Sequence, residues 1–243
     1  MMNICVKELK TFFGSATGYV VIALFLLGTA LFLWVFPGQY NVLDGGYATL
    51  DSLFVLAPWL YLFLCPSISM RLFAEERQSG TLELLLTKPI PKWKIVTGKA
   101  LAGWLLVIVA LLPTLVWYYS VNMLADPAGN VDSGAFWGSF IGLILLAAVY
   151  VSIGVFSSGV SANQIVAFIL GAVLCFAMFY GFELAGSLLS DGENQYAMRA
   201  AGINAHYKSL SRGVIDSRDI VYFVAMSALW LWLSKLTLDR KKI

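Results

Sequence analysis

The chain has 243 residues, of which 60% are hydrophobic and 12% are charged, and its formal net charge is +2. An average soluble domain carries about 25% charged residues, so a water-soluble fold could not cover this much apolar surface. The small net charge predicts no nucleic-acid partner. The composition therefore favours an integral membrane protein.

The first thirteen residues have the pattern of a short amphipathic helix. One face carries Ile4, Cys5, Leu9, Phe12 and Phe13, and the remaining positions carry Lys7, Glu8 and Lys10. This spacing predicts a helix that lies in the membrane interface, with a frayed polar tail as the alternative. The apolar run that follows is too long for the core of a signal peptide, so we expect the first span to be retained.

Five runs without Asp, Glu, Lys or Arg predict the membrane spans: 11–43, 52–70, 100–125, 133–182 and 220–234. A bilayer core needs about 20 residues of helix, so the fourth run is long enough for two passes. We therefore predict an all-α integral membrane fold with six transmembrane helices, at 19–36, 50–70, 100–121, 134–156, 165–184 and 220–238. The whole chain, 1–243, is predicted to be one transmembrane domain.

Small residues and prolines shape the predicted spans. Gly134, Gly138 and Gly142 recur every four residues and predict close packing of another helix against the fourth span. Pro113 predicts a kink in the third span. Cys5, Cys65 and Cys175 are scattered without metal-binding spacing, which predicts apolar packing and no disulfide.

The distribution of Lys and Arg predicts the orientation. Twelve lie on one side of the six-span topology: Lys7, Lys10, Arg71, Arg77, Lys88, Lys92, Lys94, Lys99, Lys235, Arg240, Lys241 and Lys242. Four lie on the other side: Arg199, Lys208, Arg212 and Arg218. The positive-inside rule therefore places both termini and the segment 71–99 in the cytosol. It places the region 183–219, where we expect short helices, outside.

The segment 70–99 is the longest charge-dense stretch of the chain. Ser79-Gly80-Thr81 is a turn and helix-start signal, and Pro89-Ile90-Pro91 ends the helix that follows. Leu82, Leu85 and Leu86 share one face of that helix. Two turns are too few to bury these leucines, so the pattern predicts a partner surface. The alternative is a solvated surface turn in which Arg71, Glu75, Glu76 and Arg77 pair with one another.

The residues of this segment resemble the cytosolic motif of ABC-2 type transporter permeases, which lies between their second and third helices. The resemblance rests on Glu75–Leu85 (EERQSGTLELL), Pro89, Lys94-Ile95 and Gly98-Lys99. The topology of the whole chain agrees with that family. The opening residues 7–13 (KELKTFF) are most similar to the gliding-motility-associated permease subunit of Bacteroidetes.

The resemblance implies the membrane half of an ABC exporter in the inner membrane, driven by a separate ABC ATP-binding subunit. A second permease copy or a related permease would complete a dimer, with an accessory extracytoplasmic subunit and membrane lipid as further partners. The matched stretch would be the coupling helix that contacts the ATPase. The contact residues it implies are Glu75, Glu76, Arg77, Gly80, Thr81, Leu82 and Glu83.

The chain is predicted to hold no cofactor and to be no enzyme. Thr97-Gly98-Lys99-Ala100 is unlike a phosphate-binding loop, because Trp93 replaces its first glycine and Ala100 replaces its Ser or Thr. ATP and Mg²⁺ would therefore reside on the partner ATPase. His206 is the single histidine and has no neighbouring ligand cluster, so no metal site is expected.

Glu183 adjoins the apolar body of the fifth span and is a candidate for the translocation path. The alternative places its carboxylate in water at the interface. Three other functions remain open at this point. They are an anchoring subunit of a larger machine, an ATP-independent secondary transporter and, with the least support, a membrane-embedded enzyme.

Overall fold

A computed structural model describes residues 1–87, 89–127, 129–189, 192–213 and 216–240. Every regular element in these residues is helical, and six helical stretches are long and apolar enough to cross a membrane. The predicted all-α membrane fold is therefore confirmed. Lys88, Lys241 and Lys242, which contribute to the predicted cytosolic charge, lie outside the described residues.

The helices follow one another along the chain. They are α1 (Met2–Phe13), α2 (Ala16–Ala30, extended by a π-helical turn Leu31–Val35), α3 (Asp51–Ser69), α4 (Arg71–Gln78), α5 (Thr81–Leu86), α6 (Lys92–Leu111), α7 (Leu115–Leu124), α8 (Ser133–Val160), α9 (Gln164–Phe176, extended by a π-helical turn Ala177–Gly181), α10 (Phe182–Ser187), α11 (Gly192–Ala200), α12 (Ile203–Leu210) and α13 (Ser217–Arg240).

The six membrane-crossing stretches are Ala16–Val35, Asp51–Gln78, Lys92–Leu124, Ser133–Val160, Gln164–Ser187 and Ser217–Asp239. The second extends to Gln78, beyond its expected end at 70, because Met70 keeps helical dihedral angles and α4 continues the direction of α3. Its 28 residues span about 42 Å of helix, beyond the roughly 30 Å of a bilayer core. The helix therefore continues past the charge at Arg71, where the span was expected to end.

The third span is interrupted at the predicted proline. α6 ends at Leu111, Leu112–Thr114 forms a 3₁₀ turn, and α7 begins at Leu115. Pro113 lacks the N–H that an α-helix would need at this position, so the chain takes the tighter turn. The span resumes afterwards and carries the aromatic residues Trp117, Tyr118 and Tyr119 at its end.

α8 forms the centre of the bundle and packs against α3, α6, α9 and α13. The apolar windows of α2, α9 and α13 are by contrast only 22%, 22% and 17% buried, so these spans turn large apolar faces outward. A bilayer or a second copy of the chain must cover those faces.

The two ends of the bundle carry different elements. The end with α1, α4, α5 and the C-terminal part of α13 is here called the α5 end, and the end with α10, α11 and α12 is called the α12 end. At the α12 end, the Tyr207 hydroxyl donates to the Phe54 carbonyl at 2.7 Å. A Cβ on Gly138 would lie 2.7 Å from the Cα of Gly213, so the predicted glycine stripe of α8 accepts the loop after α12.

Candidate functional site

α4 and α5 meet at a sharp turn at the α5 end of the bundle. Gly80 adopts φ +71°, a left-handed conformation that glycine accepts at low cost. Ser79 Oγ lies 2.9 Å from Thr81 Oγ1 across this turn. The turn lets α5 leave the direction of the second span, so that α5 lies at the surface of the bundle end.

The leucines of α5 pack differently from the expectation. Leu82 is buried, and Leu85 and Leu86 pack partly against the hydrophobic core of the same chain. The prediction that Leu82 needs a partner surface was wrong, because α4 holds α5 close enough to the bundle for its own core to cover it. Leu85 and Leu86 stay partly exposed. Leu84 is 67% exposed instead, beside the exposed Glu83.

A buried ion cluster joins the segment to two other helices. Lys99 Nζ of α6 lies 2.8 Å from Glu8 Oε1 of α1 and 3.0 Å from Glu76 Oε1 of α4. Lys7 Nζ lies 2.8 Å from the same Glu76 oxygen. The Lys99 side chain is fully buried, and those of Glu8 and Glu76 are 12% and 13% exposed. Two carboxylates and two ammonium groups balance one another here, which is the condition for burying charge at low cost.

The cluster places Glu8 differently from the sequence prediction, which assigned it to the polar face of α1. Its carboxylate reaches Lys99 because α1 packs closely on α6 at Gly98, where a Cβ would lie 3.1 Å from the Met1 carbonyl oxygen. Burial acts to lower the pKa of the Lys7 amine, but the hydrogen bond and charge of Glu76, together with Glu8, outweigh it and raise that pKa.

α4 is also fixed to the last turn of α8. Ser158 Oγ accepts the backbone N–H groups of Phe73 and Ala74 at 2.9 and 3.0 Å, and it donates to the Met70 carbonyl at 2.8 Å. Arg77 Nη1 donates to the Val160 carbonyl at 2.9 Å. These bonds join the start of α4 to the last turn of α8, where helix ends leave some backbone groups without a helical partner.

The alternative prediction was a solvated turn in which the charged residues of α4 pair with one another. One such ion pair lies on the outer surface of α4. Arg71 Nε lies 3.0 Å from Glu75 Oε2, one helical turn away. The Arg71 guanidinium also donates to Ser15 and Thr17 at the start of α2. Glu76 and Arg77 instead turn toward the bundle, so the four residues do not form one solvated cluster.

The seven predicted contact residues therefore divide into two groups. Gly80, Thr81 and Glu83 are exposed, and Glu75 has a side chain that is 44% exposed. Glu76, Arg77 and Leu82 face the protein interior. The first group is free to touch another protein, whereas the second fixes the position of the segment.

A family model described as ABC-2 family transporter protein matches residues 2–214. The chain belongs to this family. Membership makes it the membrane subunit of an ABC transporter, distinct from the ATPase, and implies an ABC ATP-binding partner and a dimer. No curated protein matches the chain.

Glu183 of this permease lies in α10 at the α12 end. Its carboxylate accepts a short hydrogen bond from the Asn204 amide, and Lys208 Nζ lies 3.4 Å away. The side chain is 32% exposed and lines a cavity of about 480 Å³ between α3, the end of the fifth span and α12. The carboxylate is thus partly shielded and paired, and not simply dissolved in water.

His206 and Asp219 also form a pair at the α12 end. His206 Nδ1 lies 2.7 Å from Asp219 Oδ1, and the His206 ring stacks on Tyr222 with centroids 3.8 Å apart. Among the residues that the structure describes, no three His, Cys, Asp or Glu side chains are placed to hold a metal ion. The pair therefore fixes α12 on the start of α13.

Sequence reasoning missed Glu8, Lys99 and Ser158, which hold the segment in place. One signal was available, since Lys99 is a charged residue directly before an apolar run of span length. A charge at such a depth needs a partner, and the sequence alone did not show which residue supplies it.

Proposed function

We propose that the chain is the permease subunit of an ATP-driven ABC-2 exporter and that α4 and α5 form its coupling segment. ATP and Mg²⁺ reside on the separate ATPase. The observation that carries the proposal is the combination of an exposed α5 surface with an α4 that is bonded to α1, α6 and α8. Such a segment can pass a displacement from a partner to several spans at once.

Each attachment of α4 gives a specific route for that displacement. The ion cluster moves α1 and the start of the third span with α4, because Lys99 holds both carboxylates. The bonds to Ser158 and Val160 move the end of the fourth span. Closure of two ATPase subunits would then shift the spans as packed units between inward-facing and outward-facing states.

The direct contacts with the ATPase are assigned to Glu75, Gly80, Thr81 and Glu83, with Leu84 as an apolar addition. Glu76, Arg77 and Leu82 do not touch the ATPase, and they position α5 from the interior side of the segment. The exposed residues offer two carboxylates, one hydroxyl and one apolar side chain. This mixture is suited to a groove lined by both polar and apolar side chains.

Two copies, or one copy with a related permease, enclose the path, and the outward faces of α2, α9 and α13 supply the apolar surface for this assembly. Both termini and α5 lie in the cytosol, and Glu183 lies at the outer end of the path. The spans carry few charges, which favours an amphiphilic cargo. The resemblance of residues 7–13 supports a role in gliding machinery, with an accessory extracytoplasmic subunit as a further partner.

The test is affinity purification of the tagged permease in mild detergent, with the co-purifying proteins identified. The variant is Glu83→Lys, which reverses an exposed charge and leaves the ion cluster intact. The matched control is Glu193→Lys, an exposed charge reversal in α11 at the opposite end. We expect an ABC ATPase with the parent and with the control, and its loss from Glu83→Lys.

If the ATPase still co-purifies with Glu83→Lys, α5 is not part of the contact with the ATPase. The absence of any ATPase from all three preparations would contradict the exporter function. A second measurement separates transport from anchoring. ATP-dependent movement of an amphiphile across reconstituted vesicles supports export, whereas ATP hydrolysis without movement of any tested amphiphile supports an anchoring subunit.

A further inference from the structure

Two adjoining cavities lie at the α12 end of the permease. The first, of about 480 Å³, lies between α3, the π-helical turn of the fifth span and α12. The second, of about 420 Å³, lies between α10, α11 and α12. Both are lined by Phe179, Glu183, Asn204 and Lys208, so these residues form a shared wall.

The first cavity has the features of a cation site. Its wall carries the carboxylates of Asp51 and Glu183 and the rings of Trp59 and Tyr180, whose centroids are 5.6 Å apart. Trp59 is 39% exposed, so its ring is open to a ligand. Carboxylates and aromatic faces both attract organic cations, and quaternary or primary ammonium groups bind in such surroundings.

The second cavity has the opposite polarity. It is lined by Arg199, Lys208 and Arg212, with Glu183 as its single carboxylate among the described lining residues. Neither guanidinium makes an ion pair or a side-chain hydrogen bond with another residue in the part of the chain that the structure describes. Free guanidinium groups bind phosphate through paired N–H donors.

The wall between the cavities is itself dipolar. Lys208 Nζ lies 3.4 Å from Glu183 Oε1, a distance longer than a strong ionic hydrogen bond. The Glu183 carboxylate is therefore still able to attract a cation in the first cavity, and the Lys208 ammonium is able to attract an anion in the second. A ligand with both charges would satisfy both cavities and leave neither group unpaired.

We propose that these cavities together bind the zwitterionic headgroup of a phospholipid, with the ammonium group near Trp59 and Glu183 and the phosphate near Arg199 and Arg212. A lipid is favoured over a soluble compound because exposed apolar side chains adjoin the site. Tyr196, which lines the second cavity, is 77% exposed, and Leu184 and Leu188, which follow Glu183 in the chain, are 46% and 87% exposed. Binding goes beyond the proposed function and needs no ATPase, whereas transport of the bound lipid would rest on that function.

The experiment measures lipid binding to the purified, delipidated permease alone, by native mass spectrometry in detergent. The probes are phosphatidylethanolamine, which carries both charges, and phosphatidylglycerol with the same acyl chains, which lacks the ammonium group. We expect phosphatidylethanolamine to bind about tenfold more tightly, the size of effect given by one charge-assisted contact. Equal affinity for the two lipids would overturn the proposal.

Two variants assign the charges to their cavities. Glu183→Gln should remove the preference for phosphatidylethanolamine. Arg212→Gln should lower the affinity for both lipids to a similar extent. The matched controls are Glu193→Gln and Arg218→Gln, which neutralise external residues outside both cavities. The assignment of these charges to the two cavities would be contradicted if the control variants lost binding to the same extent. It would also be contradicted if the preference for phosphatidylethanolamine persisted in Glu183→Gln.

A competition arm separates the lipid from the free headgroup. Soluble phosphoethanolamine at millimolar concentration should not displace the bound lipid, because the acyl chains add apolar contacts. Displacement would assign the site to a soluble aminophosphate and would contradict the proposal that the ligand is a lipid. The melting temperature of each variant, compared with the parent, shows whether a lost affinity reflects the site or the fold. None of these measurements depends on whether an ATPase co-purifies.

Discussion

The buried ammonium group of Lys99 lies 2.8 Å from the Glu8 carboxylate, although 91 positions separate the two residues. This contact joins the amphipathic helix α1 to the third span, and the second contact of Lys99, with Glu76, brings in α4. α1 is therefore part of the support of α4 and α5. Its attachment depends on charges that have almost no access to water.

The first prediction concerns the removal of that ammonium group. Lys99→Met keeps the length of the side chain but leaves the Glu8 and Glu76 carboxylates with the single, exposed Lys7. Loss of one partner from a buried ionic group costs about 3–5 kcal/mol. We expect a clear fall in the melting temperature of the detergent-solubilised permease, measured by intrinsic fluorescence.

A second lysine provides the comparison. Lys94→Met removes an exposed charge from the same helix. Exposed charges contribute about 0–1 kcal/mol, so this variant should change the melting temperature little. Adding Glu8→Gln to Lys99→Met should recover part of the loss, because it restores the charge balance. Equal effects from Lys94 and Lys99 would refute the role of the cluster.

The second prediction uses Cys5 as a reporter of α1 docking. Cys5 is 1% exposed, and burial, together with the charge of Glu8, raises the pKa of its thiol. Because the thiolate is the reactive form, maleimide labelling at pH 8 should be slow in the parent. Cys65 and Cys175 are fully buried in spans and would be replaced by alanine for the measurement.

Variants separate the two causes of slow labelling at Cys5. Lys99→Met leaves the Glu8 charge in place, so faster labelling in this variant reports only the release of α1. Glu83→Gln, at an exposed position away from the cluster, is the control and should label at the parental rate. A rate that stays unchanged in Lys99→Met would mean that the cluster does not hold α1.

The third prediction concerns the orientation of the permease in the membrane. Leu84 in α5 and Leu188 after α10 are 67% and 87% exposed at opposite ends of the bundle. In spheroplasts, a membrane-impermeant maleimide should label Leu188→Cys but not Leu84→Cys. Permeabilisation should then expose Leu84→Cys to the reagent. The reverse pattern would overturn the assignment of α5 to the cytosol.

The six spans could be predicted because they depend on local composition, since a helix in lipid needs a long run without charge. The turn at Gly80 and the helix after it were equally local. The burial of Leu82 was not predictable, because it depends on how α4 continues α3 and so on the path of a neighbouring element. Arg71 ended the predicted span, but the helix continues past it.

The ion cluster could not be predicted from the helical periodicity of the sequence, for a similar reason. Helical periodicity places Glu8 on a face, but it cannot show that α6 approaches that face through Gly98. Charge alone did not distinguish Lys99 from the exposed Lys94, five positions earlier. Long-range pairs of this kind require the packing of whole helices, which the sequence does not show one element at a time.

The last prediction tests how closely the second and fourth spans pack. A Cβ on Gly154 of α8 would lie 1.8 Å from Ser69 Oγ and 2.7 Å from Ser69 Cβ, distances that force one of the helices to move. Overpacking of this kind costs about 1–3 kcal/mol or more. It would also act one turn from Ser158, where α8 holds α4, so Gly154→Ala should lower both the melting temperature and the recovery of the ATPase partner.

Relief of the contact should reverse the effect. Ser69→Gly removes both atoms that the new Cβ meets, and the next atom, the Cys65 carbonyl oxygen, lies at an ordinary 3.7 Å. The double variant Gly154→Ala, Ser69→Gly should therefore regain most of the melting temperature. Gly28→Ala, whose nearest neighbour would be 3.7 Å away, is the control for adding a methyl group to a span. A double variant no more stable than Gly154→Ala would show that the spans do not meet at Ser69.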